Sequence, residues 1–404
     1  MKILIINKFL FPNGGSESYI FRLGEELMCS GCEVQYFGME HEGRIVGNRA
    51  ESYTRGMDFH AKGMEKFLSP FGLLYSRDAR HKLKKVLEDF RPDAVHLNNI
   101  NFQLTPSVID EVRAFDPGIK IVATAHDSQW MCPGHLLRIP STGEVCRRCV
   151  DGSAWNCFRH RCIHDSAARS FLGSLEGSLY RMLNTYAAVD TVICPSAFME
   201  EILSHHPKLK GRLRTLHNFV ELPQASERTP GDYVLFFGRY SQEKGIRPML
   251  SAVRALPEVL FVFAGKGELE DEVDAVAGET GNLKNAGFKS GGELRDMIRG
   301  ARFVVFPSVC HENCPLSVME AQAAGVPVIA SRAGGIPELI DDGRTGELFT
   351  MGDADELADR IWALWNDDRR CITYGENAGK MAKERYLTPE AYAVEMIRLY
   401  SSRS

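Results

Sequence analysis

The 404-residue chain has no apolar run approaching the about 18 to 20 residues that cross a bilayer as a helix. Its start, Met1-Lys2 followed by Ile3-Leu4-Ile5-Ile6, turns polar too soon for a secretory leader and predicts a buried first strand. There is little excess charge of either sign. Lys and Arg number 48 against 53 Asp and Glu, and the net charge of -5 excludes the broad basic surface of a nucleic-acid-binding protein while leaving room for a local basic patch. Internal repeats and low-complexity tracts are lacking too, which excludes a solenoid. Eleven cysteines, an odd number without a leader, argue for thiols or a metal site before disulfides. The expected compartment is cytoplasmic, with peripheral contact at the inner membrane face left open.

What the sequence has is apolar content for more than one core: 44% hydrophobic and 25% charged residues over a length that suggests two domains. Short apolar runs alternate with amphipathic stretches. Lys2–Ile6, Glu33–Phe37, Ala94–Leu97, Lys120–Thr124, Thr191–Cys194 and Leu213–Leu216 read as strands. Helical spacing between them places Ile20, Leu23, Leu27 and Met28 on one face, and Ala79, Leu83, Val86, Leu87 and Phe90 on another. A second series follows, with strands at Tyr233–Phe237, Val259–Ala264, Phe303–Phe306 and Val326–Ala330. Strands alternating with helices predict an α/β fold with two doubly wound parallel sheets. The expected domains are 1–221 and 232–387, joined by the polar segment Glu221–Asp232, with a terminal helix at 388–404 returning to the first domain. Such halves are expected to face a central cleft at the carboxyl ends of their strands, where ligands bind in these folds.

The densest cluster of functional residue types is His311-Glu312-Asn313-Cys314-Pro315-Leu316-Ser317-Val318-Met319-Glu320. Pro315 suits the first turn of a helix, because its missing N–H would be unpaired there. Glu312 then precedes the helix and Glu320 lies within it, on the order of 10 Å away at 1.5 Å per residue. That is too far for two carboxylates acting on one bond, but suits two contacts to one long ligand, with the N–H groups of Leu316 and Ser317 meeting a diphosphate between them. Gly238-Arg239-Tyr240-Ser241-Gln242-Glu243-Lys244-Gly245 follows a strand, and a glycine turn there would place Arg239 and Lys244 at the mouth of the cleft. Two such cations can neutralise a leaving diphosphate without a metal ion. Gly14-Gly15 opens a helix after the first strand, where backbone can approach a phosphate. His126 stands just beyond the strand Lys120–Thr124.

Together with Gly334-Gly335-Ile336-Pro337-Glu338, these motifs resemble glycosyltransferase family 4, most densely over residues 232–350. The resemblance implies the GT-B fold, two Rossmann-like domains facing a central cleft, and a retaining transfer of a hexose from a nucleoside diphosphate sugar, UDP or GDP. It implies that Glu312 contacts sugar hydroxyls and Glu320 the ribose, while Arg239 and Lys244 hold the diphosphate with Gly15 approaching it. Asn313, Cys314, Pro315, Leu316, Ser317 and Gly14 complete the donor site, and His126 meets the transferred sugar. It further implies turnover without a divalent metal and a glycan or lipid-linked acceptor in polysaccharide assembly. A nucleotide-sugar epimerase or a phosphorylase would sit on the same fold, but no motif for either is present, and the full set of donor-site residues argues against the other alternative, a non-enzymatic nucleotide-sugar-binding protein.

Five cysteines crowd residues 132–162. The spacing of Cys146, Cys149, Cys157 and Cys162 is compatible with a tetrahedral structural zinc, with Cys132, His160 and His164 as spare ligands. Arg77, Arg80, Lys82, Lys84 and Lys85 with His81 form a basic helix face suited to anionic lipid or a lipid-linked diphosphate.

Overall fold

The computed structural model describes residues 1–55, 74–223 and 230–402, so that 224–229 of the expected linker lie outside the described residues. The chain divides into two compact units, Met1–His217 with Pro389–Ser404, and Asn218–Thr388. The division falls just upstream of the segment 221–232.

In the first unit the strands are β1 (Lys2–Ile6), β2 (Glu33–Phe37), β3 (Ala94–Leu97), β4 (Lys120–Thr124), β5 (Thr191–Cys194) and β6 (Leu213–Thr215). They form one parallel sheet in the order β2-β1-β3-β4-β5-β6. Ile3 to Ile6 are wholly buried, as expected for a parallel strand covered on both faces. The helices are α1 (Gly15–Cys29), α2 (Arg77–Phe90), α3 (Ser107–Phe115), α4 (Trp155–Arg159), α5 (Ala167–Met182) and α6 (Ala197–Ser204). Helix α2 shows why such segments fold locally. Ser76 accepts the Ala79 N–H at its start, Ala79, Leu83, Val86, Leu87 and Phe90 enter the core, and Arg91 at φ 49 ends it.

The second unit contains β7 (Val234–Arg239), β8 (Phe261–Lys266), β9 (Leu283–Asn285), β10 (Phe303–Phe306), β11 (Val328–Ser331) and β12 (Gly346–Phe349), again parallel, in the order β12-β11-β10-β7-β8-β9. Its helices are α7 (Ile246–Ala255), α8 (Glu270–Thr280), α9 (Gly291–Gly300), α10 (Leu316–Ala323), α11 (Ile336–Leu339), α12 (Ala354–Trp365) and α13 (Asp368–Arg385). Helix α14 (Pro389–Ser401) belongs to the first unit, where Tyr392 and Tyr400 are buried.

Each sheet reverses its strand order once, between β1 and β3 in the first unit and between β7 and β10 in the second. The loops leaving neighbouring strands diverge there, and ligands bind at that point beyond the carboxyl ends in doubly wound folds.

Candidate active site

In the second unit the predicted turn at Gly238 does not occur. Strand β7 runs on through Gly238 and Arg239, which pair with Gly265 and Lys266. Gly238 has φ 144, a conformation that favours glycine, and a Cβ on the facing Gly265 would lie 1.9 Å from the Gly238 carbonyl, so a side chain there would not fit. Arg239 ends the strand exposed. The turn comes later, as a 3-10 segment Gln242–Lys244 closed by Gly245 at φ 74. A Cβ on Gly245 would meet the Pro307 carbonyl at 1.8 Å, so this glycine lets the Lys244 loop press against the end of β10.

That approach brings Lys244 to Glu312. The Lys244 Nζ donates to Glu312 Oε1 at 2.7 Å, and the Ser308 hydroxyl donates to the same oxygen at 2.7 Å. The Phe306 ring lies 5.4 Å from the ammonium. Burial alone would lower the Lys244 pKa, but the Glu312 carboxylate outweighs it and raises the pKa, so the cation is held charged. Among the described residues no donor reaches Glu312 Oε2.

Glu312 is also fixed by its backbone. Its carbonyl accepts the Gly335 N–H at 2.8 Å, and a Cβ on Gly334, at φ 59, would stand 2.1 Å from that oxygen. The Gly334-Gly335 pair therefore shapes the site by holding Glu312. Pro315 is not in the first helical turn but is the N-cap of α10, extended at φ -67 and ψ 118, so the helix starts at Leu316. No side chain caps that end, and the N–H groups of its first turn have no carbonyl within the helix. The Cys314 side chain does not join the polar group. Its buried thiol packs against Met319, its pKa is pushed by burial up to about 12, and its carbonyl accepts from Asn218 Nδ2 at 2.8 Å.

Glu320 lies within α10, where burial and the Glu221 carboxylate push its pKa up to about 7 and Arg295 offsets part of the rise. Among the described residues nothing hydrogen-bonds its carboxylate.

In the first unit Gly14 is the N-cap of α1, and Gly15 begins the helix with no atom within 4 Å of where a Cβ would stand. Asn7 and Ser16 both donate to Glu17 Oε1, at 3.0 and 3.1 Å, and Asn99 Nδ2 donates to the Ser16 hydroxyl at 2.9 Å. The loop beyond β1 is thereby tied to the end of β3.

His126, just past β4, has its Nε2 2.8 Å from Asn98 Oδ1 and its ring edge-on to Tyr19 at 5.0 Å. Burial lowers its pKa to about 4, with Asp127 opposing, so the ring is neutral near pH 7. Asn98 uses its amide nitrogen toward the His96 carbonyl, which leaves an acceptor oxygen for His126 and assigns the proton to Nε2. Nδ1 is then the accepting nitrogen.

A second chain runs behind it. Tyr400 meets His96 Nδ1 at 2.8 Å, His96 Nε2 meets Thr124 at 2.8 Å, Thr124 meets Tyr19 at 3.2 Å, and Tyr19 meets Tyr392 at 3.0 Å. Asn98, Tyr19, Thr124 and Ser308 were not foreseen. The nearest signal was the polar Asn98-Asn99 directly after an apolar strand.

No disulfide forms among the eleven cysteines. Cys132, Cys149, Cys157 and Cys162 are buried and join the first unit's core, whereas Cys146 is partly exposed. Cys132 lies beside Cys149 and Cys157 beside Cys162, and each neighbour with burial raises the pKa of Cys132 and of Cys157. As placed, no three His, Cys, Asp or Glu side chains among the described residues converge closely enough to hold a metal ion. No described helix is long and apolar enough to cross a membrane.

Comparison with known proteins agrees with this geometry. Residues 13–224 match the family described as Glycosyltransferase Family 4, and residues 220–381 match Glycosyl transferases group 1. An uncharacterized glycosyltransferase of Methanocaldococcus jannaschii is 27% identical over 82% of this chain and 91% of its own length. A phosphatidyl-myo-inositol mannosyltransferase of Mycobacterium leprae is 28% identical over 51% of this chain and 49% of its own. Among solved structures, sucrose-phosphate synthase of Thermosynechococcus elongatus superposes with a TM-score of 0.70 at 19% identity, covering 99% of this chain and 98% of its own. Anabaena HepE, solved with UDP, superposes with a TM-score of 0.66 at 17% identity over 100% of both chains.

Proposed function

Given that the chain belongs to glycosyltransferase family 4 and is a glycosyltransferase of GT-B fold, we propose that it transfers a hexose from a UDP- or GDP-sugar with retention of anomeric configuration, to a glycan or lipid-linked acceptor in cell-surface polysaccharide assembly. The observation that carries the donor reading is the Lys244–Ser308–Glu312 cluster at the β7–β10 reversal, beside the uncapped start of α10.

The roles follow from the chemistry of each group. Lys244 is a held cation, and with Arg239 it stabilises charge growing on the leaving diphosphate. The first-turn N–H groups of α10, at Leu316 and Ser317, supply further donors, as does the approach over Gly14 and Gly15 at the start of α1. With these cations and dipoles the diphosphate is neutralised without a divalent ion. Glu312 keeps Oε2 for a sugar hydroxyl while Oε1 is occupied. Cys314 and Pro315 offer backbone alone and, with Asn313, hold Glu312 and the helix start in register. Glu320 accepts from the ribose hydroxyls. His126 meets a hydroxyl of the transferred sugar, and no nucleophile is required.

That HepE was solved with UDP and with UDP-glucose supports a uridine nucleotide among the donors. The exposed cations of α2, Arg77, Lys84 and Lys85, support a peripheral contact with anionic lipid at the cytoplasmic membrane face. Arg80 instead pairs with Glu111 at 2.7 Å.

A thermal-shift screen against UDP-, GDP-, ADP- and dTDP-sugars tests the donor, because a ligand that binds only the folded chain raises its melting point. Product from the best donor, with its anomeric configuration read by NMR in chelator-treated buffer, tests retention and metal independence together. No stabilisation by any nucleotide sugar overturns the proposal.

A further inference from the structure

Residues 125–166 follow β4 with little regular structure, only the short helix α4. Among the described residues nine that are not glycine have positive φ, and five of these, His135, Leu137, Arg161, His164 and Asp165, fall here. A backbone held in sparsely populated conformations persists only where its surroundings over-determine it. The buried material around which this segment closes is sulfur. Cys132 neighbours Cys149 and Cys157 neighbours Cys162, and the two pairs are near enough to affect each other electrostatically. All four are buried.

We propose that Cys132, Cys149, Cys157 and Cys162 bind one structural zinc ion as a tetrathiolate, with Cys146 outside the ligand set. Spacing alone had favoured Cys146 over Cys132. Burial reverses that preference, since Cys146 is partly exposed and lies near the Arg148 guanidinium at 3.8 Å. His164 is exposed and His160 partly so, and neither competes for a buried site.

Zinc–thiolate bonds of about 2.3 Å imply sulfur–sulfur edges of about 3.8 Å in a tetrahedron. The four buried thiols would have to close onto one another to reach that geometry. Binding replaces four thiol protons with one Zn2+ and releases those protons to buffer, leaving a complex of net charge -2. Arg181 is placed to compensate that charge. Its guanidinium donates to the carbonyls of Met131 and Cys149, each adjacent to or part of the ligand set, and it interacts electrostatically with both Cys132 and Cys149. Its Nε is buried with no hydrogen-bond partner among the described residues. A half-buried cation with one buried, unpaired N–H beside these thiols suits an anionic cluster better than neutral thiols. Four thiolates leave no open position, so the ion would hold the segment and take no part in turnover.

The test uses the full-length chain purified without added metal and without a metal-binding tag. Elemental analysis is expected to find about one zinc per chain, as for one closed site, and exchange with Co2+ to give the absorption of a tetrahedral tetrathiolate. Cys146→Ser is expected to keep the zinc and Cys132→Ser to lose it. Should Cys132→Ser not fold, the cobalt spectrum of the unaltered chain and the zinc content of Cys146→Ser still decide. A metal-free chain whose five thiols react under native conditions overturns the proposal, as does a metal-free chain with these cysteines oxidised to disulfides. Loss of zinc from Cys146→Ser overturns the ligand set.

Discussion

The two units solve the same topological problem with different chemistry. At the β7–β10 reversal the second unit pairs charge with charge, with Lys244 and Ser308 converging on one oxygen of Glu312. At the β1–β3 reversal the first unit uses neutral groups, His126 on Asn98 and the chain from Tyr400 through His96 and Thr124 to Tyr19. Burial lowers the pKa of His126 to about 4 and of His96 to about 3, so both are neutral at physiological pH. Under the proposed function a leaving diphosphate needs fixed countercharge, which the Lys244 cation of the first arrangement would supply. A sugar needs oriented hydrogen bonds without charge, which the second supplies.

The comparison breaks most readily at Lys244. Lys244→Ala is expected to lower kcat at saturating donor about 100- to 1,000-fold, the usual effect of deleting one preorganised group that stabilises transition-state charge. Glu312 loses its cation but keeps Ser308, so the fold is expected to survive. A near-normal rate would remove the electrostatic reading of this unit. Arg239→Ala is expected to act in the same direction and more weakly, because that side chain is exposed.

His126→Ala tests the other side. It is expected to reduce turnover about 10- to 100-fold while nucleoside diphosphate affinity stays within about twofold, because a hydrogen bond that tightens during bond cleavage affects kcat and leaves ground-state binding unchanged. Donor hydrolysis without acceptor should fall in parallel. Equal losses in turnover and affinity would make His126 scaffold.

Glu320 separates the two kinds of chemistry within one unit, because no hydrogen bond among the described residues reaches its carboxylate and burial pushes its pKa up to about 7 despite the partial offset from Arg295. If ribose hydroxyls donate to the ionised form, affinity for nucleoside diphosphate rises as pH rises through 7, by up to about tenfold between pH 6 and 8. Stability of the unliganded chain moves the opposite way. Between the unfolded value near 4.5 and the folded value near 7 the folded form holds the extra proton, so stability falls as pH rises across that window. Glu320→Gln should flatten both profiles, measured by calorimetry and thermal melts at pH 6 and 8. An unchanged affinity profile in the variant would assign the pH dependence to the nucleotide.

Much of this was legible because it is periodic. Ile3–Ile6 and Phe303–Phe306 are continuous apolar runs that a doubly covered parallel sheet buries, and helix α2 carries its core residues at helical spacing. Strands β9 and β12 were missed because Leu283–Asn285 and Gly346–Phe349 are short and carry polar residues. The ends of elements were less readable. Gly238 looked like a turn, yet its role is to let two strands of glycine backbone pair closely, a matter of the facing Gly265. The side-chain partners were not readable at all. Ser308 lies only four residues from Glu312, but nothing local says its hydroxyl turns toward that carboxylate. Tyr400 and His96 are 304 residues apart, and only the folded unit joins them.

That last contact supplies the smallest and most specific test. A neutral imidazole donates from one nitrogen and accepts at the other. If Tyr400 donates to His96 Nδ1, then Nε2 donates to Thr124, Thr124 to Tyr19, and Tyr19 to Tyr392, so one direction satisfies the whole chain. Tyr400→Phe removes one hydroxyl and leaves Nδ1 buried without a donor, at a cost of about 1 kcal/mol and up to about 3. Because His96 stays neutral, this cost should be the same at pH 7 and pH 8.5. Below pH 6.5 His96 and His126 should subtract stability, since the unfolded state takes up protons that they refuse until about pH 3 and 4, a contribution opposite in sign to that of Glu320 over the same window. Denaturant melts of both forms at several pH values measure this. A Tyr400→Phe penalty that grows steadily between pH 7 and 8.5 would show that the link to α14 titrates, and the contrast between a charged unit and a neutral one would fail at its most buried point.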